Sequence, residues 1–157
     1  MTDVANWDWT DQTAQRSGHE GHAALSRAIM ERTVQGIPNP EVAAEITEWL
    51  RKAVSSLSAA VAIEKPASPR PYASLAIAHA HLGFMLLRDP GQSSAANQAF
   101  RTALDMGSTA IALYDKTTGW HRGTRYDLHV SLAMAHFHLH RFQEAQSSVN
   151  RGDRQFN

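Results

Sequence analysis

The sequence predicts an all-α domain, and three observations carry that prediction. Apolar residues recur with a 3.6-residue period over several long stretches, the prolines and glycines gather in short breaks between those stretches, and no run of alternating or β-branched residues reads as a strand. A chain of 157 residues with 43% hydrophobic content has room for one packed domain. Residues 1–16 read as a polar tail and 17–157 as a single domain of about six helices, joined by short connections into three antiparallel hairpins.

In chain order, Trp7 and Trp9 flank Asp8 in the tail, and their indoles are expected to dock on the body; a lid or partner-binding strap is the functional alternative. Ser17-Gly-His-Glu20 has the pattern of a capping box and predicts a helix from about Gly18 to Val34, with Leu25, Ala28, Ile29 and the stem of Arg32 as a modest stripe. Gly36-Ile-Pro-Asn-Pro40 stops it. Val42, Ile46, Trp49, Leu50, Ala53, Leu57, Ala60 and Val61 then hold the helical period, an amphipathic helix of about Pro40 to Glu64 whose other face carries Glu45, Glu48 and Lys52. Prolines at 66, 69 and 71 break the chain. The helix that follows, Tyr72 to Leu87, is apolar nearly all round and is expected to lie buried between neighbours. After a turn at Asp89–Ser94, Ala96, Ala99, Phe100, Ala103, Ala110, Ile111 and Tyr114 mark a further helix, with Gly107 placed to kink it or to let a neighbour approach. The loop Lys116–Gly123 leads to a helix near Thr124, and a last helix is expected from near Phe142, fraying after Gly152.

Composition excludes several roles. With 15 basic and 15 acidic residues there is no broad positive field for nucleic acid or an anionic membrane. The absence of cysteine removes disulfides, thiolate nucleophiles and Cys-based zinc sites, leaving His, Asp and Glu as the strong metal ligands. The start lacks a basic and then apolar leader, and the longest mostly apolar run, Ala73 to Leu87, is short of the roughly 20 residues of a membrane span. A cytoplasmic protein is the expectation.

The chain also matches itself at an offset of 50: His79 falls on His129, Leu82 on Leu132, Gly83 on Ala133 and Phe84 on Met134, and beyond the turn Ala96 falls on Ala145 and Phe100 on Val149. Small residues at Gly83 and Ala133 would let the paired helices of each hairpin come close. This design resembles the tetratricopeptide repeat (TPR) over about Ala76–Ser108 and Tyr126–Gly152: Leu82-Gly83 and Leu132-Ala133 look like its Leu-Gly pair, Ala96, Phe100 and Ala103 like its second-helix positions, and Phe142-Gln-Glu-Ala145 like its turn. The resemblance implies a right-handed array of hairpins that binds a ligand in a groove. The chain departs from the family in its longer offset, in histidine at the early aromatic position and in the missing closing proline.

Chemistry is concentrated in two places. His129, His136 and His140, spaced i, i+7 and i+11 on one helix, point the same way and are expected to face the apolar arc between the Leu128 and Val130 edges, with His138 and Ser131 facing out. His136-x-x-x-His140 is the spacing by which a helix presents two nitrogens to one metal, and with His129 or His79 a three-histidine site can be drawn. The motif continued through Arg141 to Gln143 is similar to the closing motif of DinB-type metal-binding bundles, whose third ligand comes from an earlier helix, a place His79 or His81 would have to take. The same imidazoles serve equally as packed, hydrogen-bonded core residues. Trp120, His121, Arg122, Arg125 and Tyr126 crowd a loop entering a helix N-terminus, a setting that suits an anion.

The preferred reading is a binding module without cofactor. A protein segment or small, anionic ligand would lie in the groove between the Tyr72 and Tyr126 helices, lined by His79, His129, His136 and His140 with the loop at its mouth. The alternative uses the same pocket for a histidine-dependent enzyme, either a divalent-metal hydrolase or isomerase on His136, His140 and His79 or a metal-free cyclase or isomerase. A homo-oligomeric scaffold through the Trp49 helix is a third class.

Overall fold

The computed structural model describes residues 8–36, 39–66, 68–116 and 122–151, of which 35, 122–124 and 141–151 are described as helix backbone. It holds five α-helices and no strand among those residues: α1 (Gln12–Gln35), α2 (Pro40–Ile63), α3 (Arg70–Leu86), α4 (Ser93–Tyr114) and α5 (Arg122–Arg151), with a single 3-10 turn at Pro90–Gln92 before α4. The all-α class stands. The count is five because the two helices expected after Thr124 are one: Phe142-Gln-Glu-Ala145 holds no glycine or proline, so nothing breaks the hydrogen-bond ladder there. The third hairpin is therefore absent, and α5 packs alone against α3 and α4.

Helix ends follow local chemistry. α1 starts at Gln12 and not near Ser17, because Asp11 caps it: its Oδ1 accepts from Ala14 N at 2.9 Å. Ser17 lies inside the helix and donates its hydroxyl to Ser56 O. Gly36 ends α1 with φ 65°, its N–H returning to Arg32 O. Asn39 caps α2, with Pro40 in the first turn.

α1 and α2 pair as one hairpin and α3 and α4 as another, with α3 also packed on α2, α5 and α1. Four neighbours explain its composition: of its 17 residues only Arg70, His79, His81 and Phe84 escape full burial. Two glycines set the close approaches. A Cβ on Gly83 would sit 2.7 Å from the Phe100 ring, and one on Gly107 would sit 2.5 Å from the Leu132 side chain, so these positions bring α4 against α3 and α5 respectively.

The tail is a clasp. Trp9 is 1% exposed, lies over Gly18 and packs with Ala14, Leu57, Ala60 and Leu75. Its Nε1 donates to Glu64 O at 2.9 Å, while the Glu64 carboxylate accepts from the amides of Thr10 and Asp11 and from the Thr10 hydroxyl. Asp8 is equally buried and accepts from the Ser68 hydroxyl at 2.5 Å. The expected docking thus holds for Trp9; Trp7 lies outside the described residues.

α5 corrects the predicted facing. Leu128, Ser131, Leu132 and Ala135 are buried, whereas His129, Val130, Ala133, His136 and Phe137 are exposed. His138, expected to point out, stacks on Phe100 at 5.2 Å between centroids and meets Phe84 edge-on at 5.4 Å. The helix has one covered side, so the second apolar edge faces solvent. No helix among the described residues is long and apolar enough to cross a membrane.

Candidate functional site

A groove does run between the Tyr72 and Tyr126 helices, and α1 forms its third wall. It encloses about 280 Å³ and is lined by Ile29 of α1, Ile77 and His81 of α3, and Tyr126, Asp127, Val130, Ser131 and Met134 of α5. That is near the small end of the roughly 300–1,000 Å³ of ligand pockets. The helical period explains the α5 wall: Tyr126, Val130 and Met134 are one turn apart along a single flank. Tyr126 is 70% and Val130 41% exposed, so α5 turns large apolar groups toward an opening that the core leaves uncovered.

A cation stands behind one end of the cleft, against His81. Arg32, one turn beyond Ile29 on α1, brings its Nη1 to 2.5 Å from His81 Nδ1 and its guanidinium to 4.3 Å from the centre of the Phe84 ring. A guanidinium can only donate, so His81 accepts at Nδ1 and keeps its proton on Nε2. Burial, and then the nearby Arg32 charge, push His81 down to about 4, so the ring is neutral near pH 7. Burial also lowers Arg32 from its usual value. Among the described residues no carboxylate lies within salt-bridge distance of Arg32.

The opposite end is acidic. α3 and α5 run in the same direction, since Tyr72, Ala73 and Ala76 cluster with Leu128 and Leu132 while Phe84 meets His138. Asp127 therefore lies at the Ile77 end, and the seven steps from it to Met134 span about 10 Å at 1.5 Å per residue.

The sequence-derived residues divide. Tyr126 lines the cleft. Arg125 turns away, 3.8 Å from the Asp115 carboxylate and 5.7 Å from the centre of the Tyr114 ring. Trp120 and His121 lie outside the described residues, and Arg122 is described as backbone alone. His79 is partly buried on α3, its pKa lowered by that burial, and it is not part of the cleft wall. His129, His136 and His140 do share one side of α5, as their spacing requires, but it is the flank away from the cleft: His129 and His136 are exposed. His136 stacks on His140 at 5.7 Å, and His140 lines a second depression of about 390 Å³ with Arg101, Leu104, Asp105 and Leu139. Arg101, Asp105 and His140 put charged and polar groups into that depression beside Leu104 and Leu139. The histidine lining expected for the groove is therefore not what the structure builds, because the apolar arc those rings were to enter is divided by solvent. No group of three or more His, Asp or Glu suited to a metal ion occurs among the described residues.

Sequence reasoning missed Arg32 and Ser131 as site residues and weighed His81 only as a metal ligand. Its spacing of i, i+3 from Ile29 puts Arg32 at the edge of the α1 apolar stripe, where an arginine is ordinarily solvated, so the sequence does not single it out. No protein-family model matches this chain, and neither a curated protein nor a solved structure matches it.

Proposed function

We propose that this protein is a cytoplasmic binding module of TPR-like helical-hairpin design, which holds a small ligand or a protein segment in the α1/α3/α5 cleft. The observation that carries the reading is the flank Tyr126, Val130 and Met134, large apolar side chains set around an apolar floor of Ile29 and Ile77 with His81 at one end. An apolar enclosure with a few converging polar groups is what a binding pocket requires. The TPR-like part of the reading rests on the first unit, α3 and α4, where the matching residues are accompanied by the close approach of Gly83 to Phe100, the approach a Leu-Gly pair would have to permit.

Methyl NMR spectra recorded while hexan-1-ol is added test the cleft directly. Shifts at Ile29 and Ile77 are expected, and they are expected to vanish in Val130→Glu, which puts a charge on the rim at a position that is already part exposed. Methyls that do not move, or movement unaffected by Val130→Glu, would overturn the reading.

A further inference from the structure

Beside the cleft, against its lining residue His81, lies a charge that no carboxylate among the described residues neutralises. Arg32 is partly buried, has Phe84 beneath its guanidinium plane and has the neutral His81 ring as its hydrogen-bond acceptor. Neither neighbour carries negative charge. The ion pairs of nearby residues do not reach it either: Arg27 and Glu31 pair with each other at 2.9 Å one turn back along α1. A cation held out of bulk water without a counter-charge is costly unless a further group completes its shell. His81 adds a second donor, because acceptance at Nδ1 leaves Nε2–H on a ring that lines the cleft.

The remaining walls fix the rest of the ligand. Ile29, Ile77, Val130 and Met134 offer only apolar contact, and Asp127 at the far end repels a second negative charge. Resting on the binding reading above, we propose that the cleft takes a small monocarboxylic acid, its aliphatic or aryl body on the isoleucine floor and its carboxylate at Arg32 and His81. A planar guanidinium matches the two oxygens of a carboxylate, which a neutral alcohol or an ammonium group cannot replace.

Hexanoate, hexan-1-ol and hexylamine, titrated at pH 7 against the full chain and followed at the Ile29 and Ile77 methyls, separate this proposal from the one it rests on. Hexanoate is expected to bind about tenfold more tightly than hexan-1-ol, the scale of a charge-assisted hydrogen bond, and hexylamine more weakly than either. Arg32→Gln is expected to remove the preference for the acid while leaving hexan-1-ol binding unchanged, which also shows that the cleft is intact; Arg32→Lys is expected to retain part of it. Equal binding of acid and alcohol, or a preference that survives Arg32→Gln, would overturn the carboxylate assignment and leave the cleft reading standing. No shift with any of the three ligands would remove both. An apolar peptide with an amidated C-terminus that bound where hexanoate did not would assign the cleft to a protein segment and overturn the proposal.

Discussion

α3 and α5 are matched in sequence and unlike in setting. His79, Leu82 and Gly83 of α3 align with His129, Leu132 and Ala133 of α5, yet Gly83 is buried against Phe100 while Ala133 is exposed, and His79 is partly buried while His129 is exposed. Leu132 alone of the second set is buried as its counterpart is. Periodicity determines which residues share a side of a helix; how many sides are covered depends on the number of neighbours, which for α3 is four and for α5 two. Apolar residues on an uncovered side become surface, and here that surface is the wall of the cleft.

The contrast can be attacked where the two helices meet the same partner. Phe100 packs against Gly83 of α3 and stacks on His138 of α5, so Phe100→Ala opens a cavity on both sides. The expected loss is about 3–5 kcal/mol in chemical denaturation; a loss below about 1 kcal/mol would mean that the junction is not part of the core.

Acid supplies the next largest effect. Burial lowers His22 to about 3 and His81 to about 4. A histidine depressed in the folded state stays neutral while its unfolded counterpart takes up a proton below pH 6.5, so stability falls as pH falls, until the folded pKa is reached. The expected loss between pH 6.5 and 5 is on the order of 2 kcal/mol for each of the two. Asp8, raised by burial, runs the other way and gains stability as pH falls through its raised value toward that of an unfolded carboxyl. Melting temperatures from pH 7 to 5 check the sign, and His81→Phe is expected to flatten part of the slope.

The smallest difference is the sharpest test of the register. Gly83→Leu should cost about 1–3 kcal/mol or more by overpacking against Phe100, whereas Ala133→Leu, aligned with it but exposed, should change stability by less than about 0.5 kcal/mol. Equal losses in thermal melts would show that the two helices are covered alike.

These particulars show what could be read in the chain. α2 and α3 were legible because one carries a sustained stripe and the other is apolar on every side, and the breaks at Gly36–Pro40 and Pro66–Pro71 hold residues that cannot continue a helix. The first turns of α1 were not, because the side facing the core there is made of Ala14, Gly18 and Gly21, small residues that admit Trp9 and Leu57 and leave no apolar period to detect. α5 was read as two helices from a family-like turn that lacks any breaker. A cleft does lie between the Tyr72 and Tyr126 helices, with Tyr126 in its wall; the cation was not legible, since a charge at the edge of a stripe looks like any solvated arginine until His81 and Phe84 are brought to it by α3.

The Trp9 clasp has a consequence for how the molecule opens. Residues 8–11 bridge to 64 and 68, across the free ends of the α1–α2 hairpin, so its two helices are joined at both ends, by the chain between Gly36 and Asn39 and by the clasp. Such a closed unit cannot fray from its termini one turn at a time. Amide hydrogens at the start of α1 and the end of α2 should therefore exchange with solvent at one common rate, as a single cooperative opening, and Trp9→Ala should split that rate in two, freeing the first turns of α1 to exchange ahead of the rest.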